Sequence, residues 1–593
     1  MNRLYLALLL LMPVVVVAQN ASWETFYEAS GCVKTPRYEE TIEYCKRLAD
    51  ASPVIHYTNF GVSPQGRALP LIIIDRDSLF AAEAVRKTDK VVCLVEACIH
   101  PGESDGKDAG LMLARDIAIL NKYPGILDHV TVLFIPIFNV DGHEHFGPYN
   151  RINQNGPEEM GWRATAAHLN LNRDFLKADA PEMHTWLELF NTWLPEFFID
   201  CHTTDGADYQ YVLTYMLETE GGHIDENLAD WQKEVYLPFI KENMDSCGHL
   251  IFPYVRFRQW HDPCSGLRSM PSPAMISQGY TILQNRPGLL IETHMLKPYK
   301  PRVESTYDMI RLTLELLNKQ HKEIKSLVEQ ADETAASESF RNTAYPLQFE
   351  PDYTDSVMTA FLGIKYQCVV SDLTGGTWYQ YQTGEDTVFQ LPLFKSFNVS
   401  AETTVPAAYV IPPEWSNVIQ RLNRHGIRYY TAENAAAVPV TSYQLSNPGW
   451  RDKPYEGRFP VGFECKQIQE IRTFPKGSAI VPLNQRTSRV IITLLEPEAR
   501  GSLAFWNFFS TLFEQKEYGE SYVLEVIARQ MLEENDTLQA EFELKKKNDP
   551  EFAGNPRAIL NWFYSKTPYW DTRIGKYPIG KIYDKELVKQ FIP

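Results

Sequence analysis

Four apolar runs rich in β-branched residues recur in the first half of the chain, and each ends in a polar group. Residues 91–100 read VVCLVEACIH, with a Pro-Gly turn and Glu103 following. Residues 130–140 read VTVLFIPIFNV, with Asn139, Asp141 and Gly142 at the end. Residues 195–202, PEFFIDCH, end in His202, and residues 288–294, GLLIETH, carry Glu292 near their end. Short apolar runs of this kind predict buried strands. Helical periodicity lies between them: residues 38–51, the stretch after Glu103 (Leu111, Met112, Leu113, Ile117), and residues 181–193, 226–244 and 304–331. Residues 61–74, GVSPQGRALPLIII, predict two short strands about a turn. Strands alternating with helices predict an α/β fold, a mixed, mostly parallel sheet flanked by helices. Open sheets of this class bind ligands beyond the carboxyl ends of their strands. A buried strand gains nothing from a polar end unless that end faces a site.

The texture changes after about residue 331. Residues 334–349 read as a polar loop, 357–399 as strands with Gly and Thr turns, and 407–430 as strand, helix, strand. Residues 459–492 return to strands, and 502–513, 522–546 and 556–565 read as helices. The expected organisation is a leader over 1–18, a catalytic domain over 19–331 and an α+β region over 332–593 with no catalytic constellation of its own. At 593 residues the chain is too long for one ordinary core.

The formal charge of −18 argues against nucleic acid, which needs clustered Lys and Arg, and against an anionic membrane surface. Arg3, the apolar stretch 4–17 and small residues Val16 and Ala18 predict a secretory signal cut after Ala18. The run is short for a membrane span, which takes roughly 17–25 residues. The expected location is therefore secreted or periplasmic, with no stable membrane insertion after cleavage. Export permits disulfides, but nine cysteines leave at least one thiol free. Cys93, Cys98 and Cys201 fall in strand-like runs, as small buried hydrophobes do.

The strand ends together hold a His₂Glu set: His100, Glu103 and His202. Imidazole nitrogen and carboxylate oxygen suit one Zn²⁺ with a position left for water. Zinc lowers the pKa of such water and polarises a carbonyl. Hydrolysis then needs a base that is not a ligand, and Glu292 stands on its own strand end. An oxyanion needs a fixed cation, for which Arg163 in GWRATAA and Arg173 in LNLNRDF are candidates. Asn172 and Arg173 could also hold a free carboxylate.

These motifs resemble those of the zinc metallocarboxypeptidase family, whose best-known members are the pancreatic carboxypeptidases. HPGE at 100–103 is similar to its His-x-x-Glu zinc motif, and NVDG at 139–142 to its Asn-Pro-Asp-Gly strand end. GWR at 161–163 resembles the segment of the arginine that assists the oxyanion. NLNRDF at 170–175 resembles the Asn-Arg segment that grips the terminal carboxylate. His202 falls where the third zinc ligand would be, and LLIETH at 289–294 resembles the strand of the catalytic glutamate. The resemblance covers roughly residues 35–325 and implies a zinc-dependent carboxypeptidase acting on peptides with a free C-terminal carboxylate. Glu292 and Arg163 would be catalytic, and Asn172 and Arg173 would bind substrate. The family's mobile tyrosine maps best to Tyr280, at a spacing from Glu292 that is short for the role.

Two other readings compete. An amidase or deacylase on a small or cell-wall substrate would keep the zinc without needing Arg173 beside Asn172. A non-catalytic binding module on the same fold would have no use for Glu292. His143 and His145 could share a metal but lack a third ligand, and His168, His261 and His294 are lone histidines. Asp205 and Asp208, just after His202, could favour a cationic side chain or orient a ligand. No G-x-S-x-G elbow supports a serine hydrolase.

Overall fold

The computed structural model describes residues 22–204 and 206–591. The expected leader and Asp205 lie outside the described residues. Ten strands lead through the first half: β1 (Ile55–Val62), β2 (Ala68–Ile74), β3 (Val91–Glu96), β4 (Val130–Ile135), β5 (Phe197–Thr204), β6 (Leu213–Met216), β7 (Ile251–Pro253), β8 (Phe257–Gln259), β9 (Asp262–Arg268) and β10 (Gly288–His294). Eight form one sheet in the order β1-β2-β4-β3-β5-β10-β6-β7. Its centre, β4-β3-β5-β10, is parallel, while β1-β2, β2-β4 and β10-β6 are antiparallel. The mixed, mostly parallel sheet predicted from the patterning is the sheet observed.

Strand alternation sorts the buried residues into two cores. On β3, Val91, Cys93 and Val95 join one core while Val92 and Leu94 join the other. On β5, Phe197, Ile199 and Cys201 take the first face and Phe198 the second. The first face is covered by helices Tyr38–Ala51, Asp105–Ala118 and Tyr299–Ala336. The second is covered by helix Pro181–Trp193 together with residues from far down the chain, among them Val405, Ile491 and Trp506. Asp200 and His202 share the parity of Phe198. The functional end of β5 therefore faces the C-terminal region.

The expected boundary at 331/332 is not a structural seam. It falls inside helix Tyr299–Ala336, and the core on the second face takes residues from both sides of it. A second sheet also crosses it: β8 and β9 join strands Val357–Val370 and Thr377–Phe394 in the order Val357–Val370, Thr377–Phe394, β9, β8. Other expectations beyond 331 shift. The polar stretch 334–349 holds the end of that long helix and the start of strand Ala344–Pro351. Residues 502–513 form turns and one short 3-10 segment, with Asn507 in the left-handed region (φ 63°), which breaks a helix. Residues 488–495 are a helix rather than a strand. All nine cysteines are free thiols.

Candidate metal centre and active-site cavity

β3 stops at Glu96, earlier than the apolar pattern runs. Cys98 takes a left-handed backbone (φ 57°), which turns the chain out of the sheet and leaves His100 on a loop. Glu103 follows, just ahead of helix Asp105–Ala118. That helix lies close on β5: a Cβ on Gly106 would stand 2.3 Å from Cys201 Cβ, so only glycine permits the approach. Asp105 ties the frame, accepting hydrogen bonds from Thr203 Oγ1 at 2.6 Å and Thr293 Oγ1 at 3.0 Å.

The three expected ligands meet. His100 Nδ1 lies 3.2 Å from Glu103 Oε2, His202 Nδ1 lies 3.1 Å from the same oxygen, and the two Nδ1 atoms are 3.2 Å apart. A tetrahedral zinc with bonds of about 2.0–2.1 Å spaces neighbouring ligand atoms by about 3.3 Å. The triangle has that size. The tautomers suit it as well. His202 Nε2 lies 2.7 Å from Asp200 Oδ2, and His100 Nε2 lies 3.0 Å from Asn170 Oδ1. Each outer nitrogen donates to a fixed oxygen, so each Nδ1 lone pair points inward. Asp200 is held in turn by Ser277 Oγ at 2.5 Å.

Electrostatics agree with a cation at this point. Burial opposes charge on Glu103, yet His100 and Arg151 hold its carboxyl well below the usual range. Burial lowers His100 to about 4 against the pull of Glu103. Burial likewise opposes charge on His202, but Asp200, Glu103 and Glu292 lift its pKa well above the histidine range. Burial and then Asp200 raise the Glu96 carboxyl, which pairs with Asp200 in the β3-β5 register. The donor set, its spacing and its charge fit a divalent metal.

Another cluster does not. Asp89, His129 and His321 also gather, but the two imidazoles stack 3.7 Å apart at 3°. An ion shared between parallel rings would sit far out of both planes, away from the lone pairs.

The remaining expected residues divide. Glu292 is the register partner of His202 across β10-β5 and lines the same cavity, which measures about 840 Å³. Arg163 Nη1 reaches Glu103 Oε1 at 3.3 Å, on the carboxylate oxygen turned away from the ligand triangle. Its segment packs on the zinc motif: a Cβ on Gly161 would lie 2.5 Å from Pro101 Cβ. Asn172 and Arg173 also line the cavity. Arg173 Nη1 donates to the Asn172 carbonyl at 2.6 Å and Nε to the Tyr455 hydroxyl at 3.2 Å.

Tyr280 is a correction. It is fully buried in helix Ser277–Leu283, among Phe175, Trp186 and Phe190, and is not a lining residue. Its hydroxyl lies 2.8 Å from His425 Nδ1 and accepts from Gln284 Nε2 at 2.6 Å. The helix turns this residue inward, so closeness to Glu292 in sequence brings it no nearer the cavity. The tyrosines that do line the cavity are Tyr254 and Tyr455. His143 is likewise occupied, with Nε2 2.8 Å from Lys107 Nζ. His294 lies 3.4 Å from Asp208.

Several functional positions were missed from sequence. Asp200 was legible in principle, standing two residues before His202 on one strand face. Arg151, which pairs with Glu103 Oε1 at 2.8 Å, lies in a polar loop with no spacing signal. Tyr455 and Glu456 come from the C-terminal region. Glu456 accepts the Asn170 amide at 3.0 Å, so this region braces the loop that orients His100.

Residues 41–207 match the family model described as zinc carboxypeptidase. The chain is 22% identical over 488 residues to carboxypeptidase 2 of Trichophyton rubrum, covering 79% of this chain and 83% of that protein. It is equally 22% identical over 491 residues to carboxypeptidase 2 of Trichophyton equinum, with the same coverage. A span of 79% of the chain cannot fit within the first 331 residues, so the likeness continues into the C-terminal region. Among solved structures, carboxypeptidase A of Helicoverpa armigera is similar at 14% identity and a TM-score of 0.36, over 50% of this chain and 74% of that one.

Proposed function

We propose that this chain, whose residues 41–207 match the zinc carboxypeptidase family model, is an exported enzyme removing single residues from the free carboxyl end of peptides. The observation that carries this reading is the ligand triangle of His100, Glu103 and His202, with Glu292 in register beside His202. When bound there, zinc would supply Lewis acidity and lower the pKa of a coordinated water.

The residues of the chain divide the remaining work. Asn172 and Arg173 hold the terminal carboxylate. Arg173 keeps Nη2 for this role, since Nε and Nη1 are taken by Tyr455 and Asn172. Glu292 takes a proton from the attacking water and delivers it to the departing amine. Arg163, at the ligand set and partly exposed, offsets the negative charge that grows on the carbonyl oxygen. Asp200 and Asn170 keep the two imidazoles in the tautomer that leaves Nδ1 free. The described residues contain no helix long and apolar enough to cross a membrane. Export itself is supported by the pattern of residues 1–18.

The test is mass spectrometry of a peptide pool, each member present with free and amidated C-termini, incubated with and without chelator. Loss of single C-terminal residues from the free-acid forms only, abolished by chelator, is expected. Trimming of amidated peptides, or none of either, would overturn the reading.

A further inference from the structure

The cavity inverts the charge of the protein that contains it. The whole chain carries −18, yet the described residues lining the cavity include seven arginines and only two carboxylates, Glu103 and Glu292. Arg151 and Arg163 both pair with Glu103. The other five, Arg173, Arg256, Arg268, Arg451 and Arg500, form no ion pair among the described residues. One terminal carboxylate answers one of these cations. Four remain.

Two of the four are built in as a pair. The Arg268 amide donates to the Arg256 carbonyl at 2.8 Å, so the two are cross-strand neighbours, and both line the cavity. Like charges placed opposite each other in a ladder destabilise it unless an anion lies between them. The Arg268 Nε is buried and has no hydrogen-bond partner among the described residues, which is costly for a charged group. Arg256 influences Glu218 only from a distance. Burial holds the Glu218 carboxyl above its usual pKa, and Glu218 accepts from the Ser272 amide at 2.6 Å. Arg268 is nevertheless fixed in place: it is the register partner of Phe394, and the Ser269 amide donates to the Phe394 carbonyl at 2.8 Å. A strand from the C-terminal region thus fixes the backbone of an arginine whose buried Nε has no partner among the described residues.

We propose that the cavity selects peptides carrying a side-chain carboxylate beside the C-terminal one, and that Arg256 and Arg268 form the subsite that receives it. The inference rests on the carboxypeptidase reading above. Arg451 and Arg500, exposed at the rim, add a field that draws anionic peptides in.

The test uses the full zinc-loaded protein and matched short peptides that differ only by Glu or Gln, at the last position or the one before it. A charge-assisted hydrogen bond of about 1.5–3 kcal/mol corresponds to a kcat/KM preference for Glu of about 10- to 150-fold at one of the two positions. That preference should shrink as salt is raised and fall toward unity in Arg268→Gln and Arg256→Gln. Calorimetry of the same peptides on Glu292→Gln protein reads the preference without turnover. If one arginine variant fails to fold, the other variant and the wild-type ratio still decide. Equal rates for Glu and Gln peptides at both positions would overturn the subsite and leave the carboxypeptidase standing. If no peptide is trimmed, the functional reading falls instead, and the binding arm alone judges the subsite: no tighter binding of Glu than of Gln peptides overturns it.

Discussion

The carboxyl edge of the sheet and the C-terminal region contribute to one cavity in different ways. The sheet edge supplies the proposed metal ligands and the proposed base, each on a strand end or the loop after it. The C-terminal region supplies no ligand and no base. It supplies Tyr455 on Arg173, Glu456 on the Asn170 amide, Arg451, Arg500 and Phe505 as wall, and the strand that fixes Arg268. On the proposed reading, the difference teaches that reactivity and selection have separate origins. The proposed ligands and base come from strand ends and loops within residues 100–292, while the wall of the cavity draws on residues as far as Phe505.

The sharpest way to break this division is at Glu292. Glu292→Gln should lower kcat by about 10²–10⁴-fold while zinc stays bound, as read by single-turnover kinetics and metal analysis. Equal loss from a wall residue such as Tyr455 would abolish the distinction. Next comes Asp200. Asp200→Asn removes the acceptor that pins His202 and should weaken zinc affinity about 10- to 100-fold in a chelator competition. Unchanged affinity would mean that the neighbours of His202 alone set its tautomer. Smaller still is the wall. Tyr455→Phe loses one hydrogen bond to Arg173, about 0.5–1.5 kcal/mol, and should appear as a rise in KM of about 2- to 10-fold with kcat nearly constant. A fall in kcat with KM unchanged would move Tyr455 into the chemistry.

The smallest effect lies where the two regions are stitched together. Burial depresses His425 to about 4, against about 6.5 in an unfolded chain. It is neutral when folded, Nε2 donating to the Leu176 carbonyl and Nδ1 facing the Tyr280 hydroxyl. Above about pH 6.5 neither state is protonated and the group adds nothing to the pH dependence. Between about pH 6.5 and 4 the unfolded chain takes up a proton that the folded one refuses, so stability falls across that window and levels off below it. His425→Gln should flatten the dependence of Tm on pH there. An unchanged slope would assign the acid sensitivity to other histidines whose pKa is lowered by desolvation, such as the half-buried His223.

The same division explains what could be read from the sequence. The parallel sheet was legible because β3, β4, β5 and β10 are apolar on both faces, as strands between two cores must be. The gathering of His100, Glu103, His202 and Glu292 around one cavity was legible because each stands at the end of such a run. Arg151 and Arg268 were not, since a lone arginine in a loop or short strand has no period to betray it. Spacing along the chain points to Tyr280, but the direction of a helix face decides, and that face is turned into the core. The 331/332 boundary misled because a shift in composition marks a change of texture, not a gap between cores. β9 pairs across it with a strand more than a hundred residues later.

That crossing sheet bears on the order in which the enzyme becomes competent. As the chain emerges from synthesis, the ligands and the base are all present once Glu292 has appeared. The strand that fixes Arg268 follows about a hundred residues later, and the wall at Phe505 about two hundred. On the proposed reading, a nascent chain carries the groups for cleavage before it carries the means of choosing what to cleave, and it gains discrimination only as the chain beyond Glu292 folds against the sheet.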